Sequence, residues 1–184
     1  MDIFEVSATG VHRAFMIRSQ TGPDRPRGDD QVRIQIVVKN SNKETKETTW
    51  ARHLRDDLYE IKDPLHLIVG LHLHDIVRAK SVSGESVPSV IEVVKRSGYK
   101  TLHILFAHDV SDEQQTRILV RLREFGAEEE APFDRFCTIV LPPEANYETV
   151  IAFLNSEKQR GAIIYEPDVS LSTLLRSRFT SSGY

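Results

Sequence analysis

Residues 32–38 read VRIQIVV, with Val32, Ile34, Ile36 and Val38 at every second position. Successive side chains of a strand point to opposite faces, so this period predicts a half-buried strand. The following NSNKETKE breaks the pattern with turn formers and charge. Residues 48–54 and 58–61 then read as a hairpin about the Arg55-Asp56-Asp57 turn. Residues 65–69 are a short apolar run behind Asp63-Pro64, residues 75–82 alternate again, and residues 87–94 add a strand after Ser83-Gly84. Five or six short strands at this spacing predict a small, strongly curved antiparallel β-module, barrel-like, over residues 31–96.

After Ser97-Gly98 the period changes. Residues 101–107, TLHILFA, read as a strand; Ser111 caps a helix with Gln114 at the capping-box position, and Ile118, Leu119, Leu122 and Phe125 form its apolar stripe. Gly126 suits the position just past that helix. Residues 127–131 and 135–141 flank a Pro132-Phe133-Asp134 turn, and the acidic first arm suits a sheet edge. Residues 147–160 carry Val150, Ile151, Phe153 and Leu154 at helical spacing, and residues 162–165 supply the last strand. The order β-α-β-β-α-β predicts a ferredoxin-like unit over residues 97–168 with both helices on one sheet face, making the whole an α+β protein. Residues 1–30 hold scattered apolar positions and then a Pro/Gly/charge linker, SQTGPDRPRGDD, while residues 169–184 form a polar tail.

Composition narrows the function classes. Twenty-four basic against 27 acidic residues give a net charge of −3, which argues against nucleic acid as a partner. Arg117, Arg121 and Arg123 cluster on one helix, where pairing with Asp112, Glu113 and Glu124 accounts for them. No apolar stretch of membrane-spanning length and no leader pattern occurs, so the chain is expected to be cytoplasmic and free of membrane. The lone Cys137 lies in FCTIVL, which reads as a buried strand and fits a reducing compartment.

Candidate chemistry is sparse, and no cofactor fingerprint is present. His66, His72 and His74, followed by Asp75, form a metal-like cluster: a strand over residues 71–75 would put both later imidazoles on one face. Two solvent-facing histidines satisfy the same pattern, and without a further, distant ligand of recognisable spacing no metal is expected. Ser97-Gly98-Tyr99-Lys100-Thr101 presents a hydroxyl, an ammonium and, if Gly98 takes a positive φ, converging backbone N–H groups. The alternative is a tight turn whose hydroxyls serve the local backbone. Trp50, with Tyr59, is either a core anchor or a binding platform.

The segments TTWAR, LYEIKDP, HDIV, RSGYKTL and PPEANY together resemble an uncharacterised bacterial family, domain of unknown function 4265, over residues 32–168. Two positions depart from that family's pattern: His74 stands where glycine is expected, and Asp63-Pro64-Leu65 replaces another turn. The resemblance supports the fold and implies no activity. The reading that follows is a non-catalytic binding or regulatory module that takes a protein, peptide or small ligand at the junction of the two parts. Its site residues are Trp50, Tyr59, Asp75, Ser97, Gly98, Tyr99 and Thr101. The alternative is a small enzyme acting on an anionic metabolite through Asp75 and the turn at residues 97–101.

Overall fold

The computed structural model describes residues 30–40, 43–133 and 135–167. The expectations for the N-terminal segment and linker, Asp30 apart, and for the C-terminal tail concern residues outside that set. Strands β1 (Gln31–Asn40), β2 (Lys43–Arg55), β3 (Leu58–Ile61), β4 (Ile76–Lys80) and β5 (Ser89–Lys95) close into a barrel in chain order. Consecutive strands pair antiparallel, whereas β5 meets β1 in parallel through one register pair, Gln35 with Ser89. Side chains reinforce this narrow seam. Gln35 Nε2 donates to Ser89 Oγ at 2.7 Å, and its backbone N–H donates to Pro88 O at 2.8 Å.

The charged KETKE segment, expected to break the strand pattern, instead opens β2: pairing with β1 runs unbroken from Asn40↔Lys43 to Gln31↔Arg52. Ladder hydrogen bonds over that length outweigh the low strand propensity of lysine and glutamate. One of these charges turns inward. The nearly buried Glu47 carboxylate accepts the backbone N–H groups of His66 at 2.6 Å and of Leu67 and Ile68 at 2.9 Å. Burial pushes Glu47 above the usual carboxylate range, against the downward pull of those three bonds. The apolar run at 65–69 is therefore no strand. It lies in an irregular loop over residues 62–75, whose Leu65, Ile68 and Leu71 fill the barrel core beside Ile34, Ala51, Ile61 and Val77.

The second half runs β6 (Lys100–Phe106), α1 (Asp112–Glu124), β7 (Glu128–Phe133), β8 (Phe136–Leu141), α2 (Tyr147–Gln159) and β9 (Ile163–Pro167), with sheet order β7-β8-β6-β9, antiparallel throughout. Ser111 and Gln114 form the expected capping box, Asn146 caps α2, and β7 is the edge strand. Leu102, Ile104 and Phe106 of β6 share one core with Cys137, Ile139 and Leu141 of β8 and with Ile118, Leu122, Val150 and Leu154 of the helices. Cys137 is thus a core side chain. Among the described residues no helix is long and apolar enough to cross a membrane.

The register places Thr101, His103 and Thr138 on the other face of this sheet, where the 62–75 loop meets it. His103 Nε2 donates to Leu65 O at 2.9 Å, and His66 Nδ1 hydrogen-bonds Thr138 Oγ1 at 2.7 Å. Burial, with the neighbouring His103 adding repulsion, pushes His66 down to about 4. His66 folds neutral but takes a proton near 6.5 when unfolded, so its contribution to stability is complete above pH 6.5 and is lost as pH falls toward 4. The expected slope in that window is up to about 1.4 kcal/mol per pH unit. Glu47 acts in the opposite sense, because its raised pKa weakens its contribution as pH rises. Urea denaturation between pH 4 and 7 should therefore show a shallower fall of stability with acid in His66→Gln than in the wild type; identical slopes would contradict the burial of His66.

Candidate functional site

The junction of the two halves is built around Asp75, which is fully buried. Its carboxylate accepts the backbone N–H of Ser97 at 2.8 Å and of His72 at 3.1 Å, and the Arg96 guanidinium at 2.8 Å. Ser97 Oγ has one proton to give. It donates to Leu73 O at 2.7 Å, lies 3.1 Å from Asp75 Oδ1, and accepts the N–H of Tyr99 at 3.2 Å. Asp75 also uses its backbone, accepting from Ile61 N–H at 3.0 Å and donating to His72 O at 3.1 Å. A carboxylate and a hydroxyl so enclosed and engaged hold the chain in place; neither is presented to a ligand.

The turn that follows has the backbone its glycine suggested. Gly98 sits at φ +90°, and a Cβ there would come within 3.2 Å of Pro143 Cγ. The serine serves local backbone groups, as the turn alternative supposes. Thr101 does not: it is buried in β6, and its hydroxyl has no hydrogen-bond partner among the described residues.

The histidines part company. Residues 71–75 are not a strand, because β4 begins only at Ile76, so the expected shared face for His72 and His74 does not form. His66 goes to Thr138 in the seam between the halves, while His74 Nδ1 bonds Glu60 Oε1 at 2.8 Å. Among the described residues no group of three or more His, Cys, Asp or Glu side chains is placed to hold a metal ion.

His74 occupies φ +63°, a left-handed conformation that suits glycine and is uncommon for a side chain of this size. Two contacts hold it there, the bond to Glu60 and an edge-on packing against the Tyr99 ring with centroids 5.0 Å apart. Glu60 also accepts from Arg52 and Lys62, each at 2.6 Å. Partial burial pulls Glu60 upward, but the hydrogen bonds from Lys62, His74 and Arg52 and the charge of Lys62 outweigh it and hold the carboxyl below its usual range.

This cluster reaches Trp50 through strand register. Thr49 and Ala51 are buried in the barrel, so Trp50 faces outward, with the Arg33 guanidinium 5.6 Å from its ring centroid. Lys62 N–H donates to Trp50 O at 2.8 Å, and Arg52 opposes Glu60. Arg33, Trp50, Lys62, Glu60, His74 and Tyr99 thus form one outward strip running from barrel to junction. Tyr59 is not part of it: one residue out of phase with Glu60, it packs on the barrel core and against His53 with ring centroids 5.0 Å apart. Of the residues read from sequence, Asp75, Ser97, Gly98 and Tyr99 come together, Trp50 joins through the strip, and Tyr59 and Thr101 point elsewhere. Arg33, Glu60 and Lys62 were missed, although the period of two at 50/52 and 60/62 carries the signal.

Residues 47–165 match the family model described as domain of unknown function (DUF4265). The chain belongs to that family. The DUF4265 match opens at Glu47 and so takes in the loop, the Asp75 junction and the second sheet, leaving β1 outside. In architecture the chain is similar to a solved structure, "Novel crystal structure of a hypothetical protein from Neisseria gonorrhoeae", with a TM-score of 0.66 at 14% identity over 78% of this chain and 98% of that one. That likeness shows the fold alone. No curated protein matches the chain.

Two substitutions at the turn should separate. Gly98→Ala is expected to destabilise by more than about 1 kcal/mol, since it meets both the positive φ and Pro143. Thr101→Val removes a buried hydroxyl that bonds nothing here, so it should leave stability unchanged or raise it by up to about 1 kcal/mol. Thermal melts of both variants check this; a loss in Thr101→Val equal to that in Gly98→Ala would contradict it.

Proposed function

We propose that this DUF4265 chain is a non-catalytic binding or regulatory module, bacterial and cytoplasmic, that captures a protein or peptide segment on the outward strip at its junction. One observation carries the reading: the polar groups of the junction are consumed internally around Asp75, and what remains presented is aromatic and charged surface, Trp50 under Arg33 at one end and Tyr99 against His74 at the other. Aromatic side chains beside paired charges offer large contact area with orientation-fixing polar groups, the usual make-up of a recognition surface. A small-molecule ligand on the same strip is the narrower version of this reading. Catalysis on an anionic metabolite through Asp75 has less support, because that carboxylate has no exposed surface.

The order of the second sheet, its antiparallel pairing and the common core of both helices support reading residues 97–168 as a ferredoxin-like unit beside a β-module at 31–96. The buried Cys137, which packs as a core side chain, supports a reducing compartment.

Trp50 is the chain's one tryptophan, so its fluorescence reports directly on the strip. Peptides selected from a random library on the full chain should change that emission saturably, and Trp50→Ala or Tyr99→Ala, each compared at a temperature where the variant is folded, should weaken their binding about tenfold or more. Selected peptides that leave the emission unchanged and bind both variants with wild-type affinity would refute the strip as the site.

A further inference from the structure

We propose that the groove between α1 and α2 is a second binding site, for a small carboxylate carried on an apolar body. The two helices line it together, Arg117, Ile118 and Arg121 from α1 and Phe153 and Glu157 from α2 with Arg160 at its C-terminal cap, around a volume of about 500 Å³. That volume falls within the range of small-molecule sites, roughly 300–1,000 Å³. Its apolar lining comes from Ile118 and Phe153, with Val110 and Ala162 at the ends.

The charge pattern selects the ligand. Arg117, Arg121 and Arg160 line the groove with Asp109 and Glu157, and Glu124 reaches Arg121 from its rim. Two of the three guanidinium groups are braced: Arg160 by the buried Glu157, and Arg121 by Glu124 at 2.5 Å while lying 4.6 Å from the Phe125 ring centroid. Arg117 differs. The sequence reading paired the cluster of Arg117, Arg121 and Arg123 with Asp112, Glu113 and Glu124, yet Arg117 makes no hydrogen bond or ion pair among the described residues. One free planar fork, flanked by two oriented ones, matches a single carboxylate held in bidentate fashion. A single guanidinium without a carboxylate partner suits a monoanion better than a phosphate dianion. The apolar lining then takes the rest of the ligand, where removal of apolar surface from water favours binding.

The test uses the isotope-labelled full chain, titrated with benzoate and hexanoate, with benzyl alcohol as the uncharged control and inorganic phosphate as the rival anion. A carboxylate site predicts saturable amide shifts with benzoate or hexanoate at Arg117, Gly161 and Ala162, absent with benzyl alcohol. Arg117→Gln should weaken the response about tenfold or more, whereas Arg123→Gln, outside the groove, should not. The proposal is overturned if neither carboxylate saturates these amides, if benzyl alcohol shifts them equally, if phosphate binds more tightly than both carboxylates, or if Arg117→Gln with a native-like spectrum binds as the wild type does. None of these residues belongs to the junction strip, so the outcome is independent of the peptide-binding reading.

Discussion

The burial of the Asp75 carboxylate is the constraint on which the rest of the structure turns. A charge taken out of water is tolerated only where donors converge on it, and here they come from three places: the His72 amide before β4, and the Arg96 side chain and Ser97 amide after β5. Satisfying one carboxylate therefore fixes where β4 starts and how β5 hands the chain to β6. The left-handed backbone at His74 and Gly98 follows from the same geometry, since the chain must turn sharply on both sides of the bonds it makes there. The function follows from it too, because groups spent on Asp75 are unavailable for chemistry and the strip outside them is left to make contacts.

Glu47 does at the other end of the loop what Asp75 does here. Long irregular loops are uncommon in compact domains unless something holds them. This one is pinned by two buried carboxylates, Glu47 on the amides of residues 66–68 and Asp75 on that of residue 72. Between those pins its apolar residues complete the barrel core, while His66 and the Leu65 carbonyl bond to the back of the second sheet. The loop is in this sense the mortar between the halves. The two hydrogen bonds described from it to that sheet are buried, so losing one leaves a partner unsatisfied in a place water reaches poorly.

Local signals were legible and long-range ones were not. The period of two at Ile34 and Ile36, the Ser111–Gln114 capping box and the acidic edge strand β7 each depend on residues a few positions apart, and each is where the sequence placed it. The start of β2 escaped because its strand character comes from pairing with β1 rather than from its own composition. The barrel-like module was read from the number and spacing of its strands, but the pair that closes it, Gln35 and Ser89, 54 positions apart, is polar and carries no periodic signature. At the site, Ser97, Gly98 and Tyr99 were legible from turn chemistry. Strand phase was the harder problem: beside Trp50 it is small Ala51 that fills the narrow barrel, so the large aromatic faces out, while Tyr59 follows Ile61 inward. Nor does a lone aspartate ahead of a strand announce that it will be buried.

The central claim, that Asp75 is a structural keystone rather than a reactive group, is tested most directly by urea denaturation of Asp75→Asn at neutral pH. Asparagine keeps the shape but removes the charge and turns one acceptor into a donor facing other donors. The account predicts a loss of about 3 kcal/mol, the scale seen when one partner of a buried charged network is removed. A loss under about 0.5 kcal/mol, the size of an ordinary surface substitution, would contradict it and return the carboxylate to the list of groups free to meet a ligand.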